Sequence, residues 1–191
     1  GDVLTYDHPT DLSYATTYYW QVVAYNSNGD AVGSPIWRFE TMPDPTVSSF
    51  PFVETFEDDS PSRFGWVQIQ EAGAGLWTYA VGSNGIITTA YEDSLNARFV
   101  STSGTNSPIT KLVTPPLDLT SVLAPTVTFA YGQPNWVGDQ NELKVYYRIS
   151  SSDPWVEIAH YTEDVPVWTV TSLFLPNASA TYQIAFEGIN N

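Results

Sequence analysis

Three features of the sequence predict an all-β fold. Two late segments alternate strictly. In Glu142-Leu-Lys-Val-Tyr-Tyr-Arg-Ile149 the residues Leu143, Val145, Tyr147 and Ile149 share one side, and in Thr181-Tyr-Gln-Ile-Ala-Phe-Glu-Gly188 so do Tyr182, Ile184 and Phe186. A period of two over such lengths marks half-buried antiparallel strands. The 14 Pro and 12 Gly punctuate the 191 residues so often that no stretch shows helical apolar spacing free of a breaker or a β-branched run. Aromatic residues make up 15% of the chain, a heavy share that suits the burial a sandwich needs.

Residues 1–42 form a first piece. Leu12, Thr16, Tyr18, Trp20, Val22, Ala24, Asn26 and Gly29 follow a two-residue rhythm through one strand and into its turn. The run Ser34-Pro-Ile-Trp-Arg-Phe-Glu-Thr41 supplies the returning strand. Residues 43–49, Pro-Asp-Pro-Thr-Val-Ser-Ser, read as a short linker that proline stiffens. In the second piece, 50–191, strands are predicted near 52–57, 66–70, 76–81, 86–90, 96–101, 109–115, 125–131, 142–150, 154–161, 166–174 and 180–187. Turn signals separate them, among them Ser83-Asn-Gly85, Ser103-Gly-Thr-Asn106, Gly138-Asp139, Ser151-Ser-Asp-Pro154 and Pro176-Asn177. Many short strands between regular turns point to a sandwich or jelly roll.

The charge balance narrows the partners. With 21 acidic and 6 basic residues the net charge is −15. Such a surface repels nucleic acid and anionic lipid, so neither nucleic-acid binding nor membrane insertion is expected. Cysteine is absent, which removes disulfides and thiolate metal sites. A secreted eukaryotic sandwich of this size more often carries a disulfide, so a bacterial extracellular origin fits better. No signal peptide or transmembrane run is visible, and Gly1 reads as the remnant of a removed tag.

The first piece resembles the last two strands of a fibronectin type III domain. In such sandwiches a tyrosine, here Tyr18, pins the preceding turn to the backbone through its hydroxyl. The resemblance covers only the end of a domain, so the hairpin is expected to cover Trp20, Val22 and Trp37 against the second domain or a neighbouring chain. It also implies a modular parent protein, with other domains of the same polypeptide as neighbours.

The second piece resembles the cleaved-adhesin domains of bacterial secreted proteases and haemagglutinins, a family similar to the MAM-type jelly roll. The resemblance rests on Glu54-Thr-Phe-Glu57, Phe64-Gly-Trp66, Gly75-Leu-Trp77 and Lys111-Leu-Val-Thr-Pro-Pro-Leu-Asp-Leu119. The closing run adds Asn141-Glu-Leu-Lys-Val-Tyr-Tyr-Arg148, Trp155, Val167-Trp-Thr169, Leu175-Pro176 and Tyr182-Gln-Ile-Ala-Phe-Glu-Gly188. It implies a jelly-roll sandwich in a large secreted or cell-surface protein that binds host protein or glycan. It also implies structural calcium, held in part by the opening Phe-Glu carboxylate, which is Glu57 here. The family's closing Asp-Asp pair is not present in this sequence, and Gln70-Glu-Ala-Gly-Ala-Gly75 stands where some relatives carry an Asp-rich loop.

Calcium takes about six to eight hard oxygens. On an extended segment Glu57 and Asp59 would share one side, which makes them the candidate metal ligands. Catalysis finds little footing. The two histidines are His8 and His160, and neither a Gly-x-Ser-x-Gly elbow nor a His-Glu-x-x-His motif occurs. Trp136 stands apart from the other tryptophans, in the polar, Pro- and Gly-rich loop Gly132-Gln-Pro-Asn-Trp-Val-Gly138. Loops on rigid scaffolds often carry binding, and Trp suits sugar rings and protein hot spots alike. Tyr131, Gln133, Asn135 and Asp139 are the expected hydrogen-bonding neighbours of that tryptophan. The expectation is a non-enzymatic extracellular adhesion module, with a carbohydrate-binding module of a secreted hydrolase or a structural spacer as the alternatives.

Overall fold

The computed structural model describes residues 6–83, 85–100 and 107–190, so the turn expected at 103–106 lies outside the described residues. The chain divides into two units, Gly1–Asp44 and Pro45–Asn191. Among the described residues the only helical element is one 3-10 turn, Arg63–Gly65, and no helix is long and apolar enough to cross a membrane.

The smaller unit is an antiparallel hairpin. Strand β1 (Thr17–Gln21) pairs with β4 (Ile36–Glu40), and the short strands β2 (Tyr25–Asn26) and β3 (Gly29–Asp30) close its tip. Asn26 Oδ1 accepts the Asn28 N–H, and Gly29 takes a φ of 110°, which a side chain would resist. The Tyr18 hydroxyl accepts the Ser13 N–H at 2.8 Å and so fastens the segment that precedes β1. Trp20 stacks on its cross-strand partner Trp37 with ring centroids 4.7 Å apart.

The larger unit is a β-sandwich. Its first layer has five antiparallel strands. They are β5 (Val67–Ala72), β8 (Ile109–Val113), β10 (Glu142–Arg148), β11 (Val156–Tyr161) and β13 (Gln183–Ile189), in the order β11-β10-β13-β8-β5. The second layer holds the pair β9 (Thr126–Gln133) and β12 (Val165–Phe174) and the ribbon β6 (Trp77–Ala80) with β7 (Asn96–Phe99). By this division the chain changes layer at β5–β6, β7–β8, β8–β9, β9–β10, β11–β12 and β12–β13, and β13 lies between β10 and β8, strands distant from it in sequence. Val47, placed by the sequence in the linker, instead bridges Leu117 in this unit.

Alternation places the core. Val145, Tyr147 and Ile184 of the first layer meet Val127, Phe129 and Leu173 of the second, with Leu117, Leu119, Leu175 and Tyr182 between them. The opposite face of the same strands carries charge. Lys111 and Glu187 are direct cross-strand partners, both 7% exposed, and form an ion pair that Glu71 extends at 2.7 Å. The Tyr146 hydroxyl donates to Glu187 at 3.0 Å, and the Tyr146 ring lies 4.9 Å from the Lys111 ammonium.

Two predicted strands are absent. At 52–57 the chain bends instead. Glu54 Oε1 accepts the Phe56 N–H, offering the backbone a local partner in place of a ladder, and Phe56 takes a φ of 65°. At 86–90 the chain closes a loop in which Ser83 N–H bonds the Ile87 carbonyl, with Gly82 before it and Gly85 within it at positive φ.

Burial sets a pH limit on the fold. Tyr182 is fully buried, and burial together with Tyr147 pushes its phenol up. Burial and the bond to Glu187 do the same for Tyr146. Unfolded tyrosine ionises near about 10, below either folded group, so the unfolded state releases protons first. Stability that is full below that pH therefore falls as pH rises past it. Urea melts at pH about 8 and about 11 will show a lower midpoint in the second, with tyrosinate absorbance rising further on unfolding at the higher pH. Equal midpoints would contradict this account.

Candidate functional site

At one end of the sandwich three loops converge. The first follows β9, which ends at Gln133, and returns to β10 at Glu142. It carries a miniature hairpin: Trp136 and Asp139 exchange both backbone hydrogen bonds at 2.9 Å. Val137 and Gly138 at its tip take positive φ, and Asn135 Oδ1 accepts the Gly138 N–H. Asn135 N–H donates to Asp164 Oδ1, which fastens this loop to the second, residues 162–164 between β11 and β12.

The third loop is residues 85–91. Ile87, 5% exposed, plugs it onto Gly132, where a Cβ would lie 2.1 Å from the Ile87 Cδ1. Trp168 Nε1 donates to the Thr89 carbonyl at 2.9 Å, and Tyr91 meets the Trp168 ring edge-on at 6.2 Å. A Cβ on Gly85 would lie 4.0 Å from Trp136 Cζ3. Ile86, Tyr91, Trp136 and Val137 are all exposed at this end, Trp136 by 49% and Val137 by 93%.

The residues singled out around Trp136 divide in two. Trp136 and Asp139 sit together at the exposed tip. Gln133 is buried, and its Nε2 donates to the Tyr161 and Glu163 carbonyls. Tyr131 packs on Tyr161 at 4.6 Å, and burial followed by that neighbour raises its phenol pKa. Asn135 caps the mini-hairpin. Gln133, Tyr131 and Asn135 thus hold the loop in place. Tyr91, Ile86 and Val137 were not singled out. The signal for Ile86 and Tyr91 was a run of apolar residues, Ile86-Ile87 and Ala90-Tyr91, within a turn-rich polar stretch.

The candidate metal ligands occupy a turn rather than a strand side, because Ser60 N–H closes on the Glu57 carbonyl at 3.1 Å. Glu57 Oε1 accepts the Ser94 and Leu95 N–H groups at 2.8 and 2.6 Å, and Asp58 pairs with Arg63 at 2.9 Å. Glu54 is engaged at both oxygens, by the Phe56 N–H and the Ser62 hydroxyl. Asp59 is exposed at the turn. Among the described residues no three His, Asp or Glu side chains converge as a ligand group. Glu57 and Asp58 thus already have protein partners, whereas calcium needs about six to eight oxygens aimed at one point.

Glu57→Ala, leaving two amides without their acceptor, is expected to cost about 1.5–3 kcal/mol, and Glu57→Gln is expected to recover most of it. The melting midpoint should be the same in calcium and in chelator. A rise of about 3–6 °C with calcium would contradict the reading of Glu57 as an amide staple alone.

The histidines have local partners. His160 Nε2 lies 2.6 Å from Glu142, and His8 Nδ1 lies 2.7 Å from the Thr10 carbonyl. A cleft of about 200 Å3 lies at the opposite end of the sandwich, lined by Tyr147, Ile149, Asp153, Pro154, Val156 and Asn177, and one of about 290 Å3 lies at the hairpin tip beside Tyr25 and Asp30. Ligand pockets usually enclose about 300–1,000 Å3.

No protein-family model matches the chain, and no curated protein matches it by sequence. Among solved structures it is similar to the K1 cleaved adhesin domain of Lys-gingipain from Porphyromonas gingivalis W83, at 17% identity and a TM-score of 0.40. That likeness covers 72% of this chain and 92% of that domain.

Proposed function

We propose that this chain is a non-catalytic binding module of a larger secreted or cell-surface bacterial protein. It recognises host protein or glycan through the loop that presents Trp136. The observation that carries the reading is a half-exposed tryptophan on a loop fastened from every side. Trp136 is exposed together with Ile86, Tyr91 and Val137 at one end of the sandwich, and several apolar side chains exposed on a fastened support favour a recognition role. The backbone bonds to Asp139, the Asn135 cap and the Asp164 tether remove loop entropy before any partner arrives. Less ordering is then left for binding to offset.

The test is a paired screen. The chain and its Trp136→Ala variant are presented to a glycan array and to a panel of serum and matrix proteins. The ligand bound by the parent chain is expected to lose at least about 2 kcal/mol of affinity in the variant, as a central aromatic anchor would. Equal affinity of the two proteins for every ligand would remove the Trp136 loop from the binding account.

A further inference from the structure

We propose that the three-loop surface around Trp136 docks a cationic protein segment, one that pairs Lys or Arg side chains with an apolar side chain. This rests on the reading of the Trp136 loop as the recognition surface and names the chemistry of its partner. The three loops, 85–91, 134–141 and 162–164, hold Asp139, Glu163 and Asp164 and no Lys or Arg, and Glu92 and Asp93 follow directly on the first of these ranges. Glu92, Asp93, Asp139 and Glu163 are exposed. Asp139 pairs with the exposed Trp136 beside Val137, Glu163 and Asp164 lie on the loop tethered to that hairpin, and Ile86 and Tyr91 are exposed on the third loop. The arrangement of an apolar centre with a rim of one charge sign matches a protein partner of opposite charge.

The amide side chains argue against a neutral sugar. A sugar platform sets hydrogen-bonding groups beside the stacking ring, and here the amides of Gln133 and Gln140 are turned inward. Gln133 Nε2 is committed to the Tyr161 and Glu163 carbonyls. Gln140 Nε2 is committed to the Gln133, Asn141 and Glu163 carbonyls. Asn135 Oδ1 caps Gly138. Among the described residues, the exposed side chains flanking Trp136 in its own hairpin are Val137 and Asp139, hydrocarbon and carboxylate. A guanidinium could lie over the Trp136 face while its charge meets Asp139 or Glu163.

With a net charge of −15, any cation is drawn weakly to the whole chain, so the test holds net charge constant. One variant carries Asp139→Asn with Glu163→Gln at the patch. The other carries Asp118→Asn with Asp153→Asn, at the far end of the strands. The probes are a synthetic peptide of alternating Arg and Leu, its Gln–Leu counterpart, and the neutral oligosaccharides maltohexaose and chitohexaose, measured by calorimetry on the full chain at two salt concentrations. The Arg–Leu peptide is expected to bind and to weaken with salt. It should lose about tenfold or more with Trp136→Ala and with the patch pair, and less than about threefold with the far pair.

Equal loss in the two charge pairs would overturn the proposal in favour of delocalised attraction. Binding of an oligosaccharide but not the peptide, lost in Trp136→Ala, would overturn the cationic partner and keep the Trp136 loop as recognition surface. Indifference of every probe to Trp136→Ala, or binding of none, would overturn both.

Discussion

Replacing Lys111 by methionine is expected to destabilise the larger unit by about 3–5 kcal/mol, a large fraction of a domain's total stability. Lys111 sits on the outer face of the five-stranded sheet, yet its side chain and that of Glu187 are each only 7% exposed. Neighbouring side chains bury the pair, Tyr146 among them. Removing the ammonium leaves the Glu187 carboxylate out of water with only a phenol to compensate it. The double variant Lys111→Met/Glu187→Leu removes both charges and should regain most of the loss, to within about 1 kcal/mol of the parent chain. Urea melts of the three proteins check this. A single variant as stable as the parent, or a double variant no better than the single, would contradict the burial of the pair.

Gly82→Ala is the second large effect, expected at about 2–4 kcal/mol. Gly82 takes a φ of 60°, and a Cβ there would lie 2.2 Å from the Ile87 carbonyl oxygen, a backbone atom that cannot swing aside. The change would push the 85–91 loop off its seat and free the Asn96 amide, which donates to the Gly82 carbonyl. Gly132→Ala should cost less, although a Cβ there comes within 2.1 Å of Ile87, because the atom it meets is the free end of a flexible side chain. Urea melts should therefore order the two variants with Gly82→Ala the less stable. The reverse order would show that the loop is seated by something other than the Ile87 backbone.

The parts of the fold that were legible in the sequence are those where one periodicity governs. Residues 142–148 and 183–189 alternate because one face meets the core and the other meets the charged ledge, and the structure pairs them in register from Glu142 to Arg148. Segments 52–57 and 86–90 have strand-like composition but are loops. There Glu54 bonding its own backbone, and glycines at positive φ, outweigh β propensity. Trp136 was legible because a large aromatic in a Pro- and Gly-rich polar loop has few ways to be buried. Its setting was not. The bond between Trp168 and Thr89 joins positions 79 residues apart, and no local pattern announces that contact. The inward turn of Gln133 was equally hidden, since an amide satisfies either a ligand or a carbonyl with the same composition.

The central claim, that Trp136 is the contact residue, is tested most directly by fluorine NMR of the chain labelled with 5-fluorotryptophan. The seven tryptophans give seven signals, and the Trp136 signal is identified by its loss in Trp136→Phe. On adding a ligand found by the paired screen, the Trp136 signal is predicted to shift or broaden first, while those of Trp66 and Trp77, packed on Phe186 and Phe99, stay in place. A bound ligand that leaves the Trp136 signal unmoved would contradict the account and place recognition elsewhere on the sandwich.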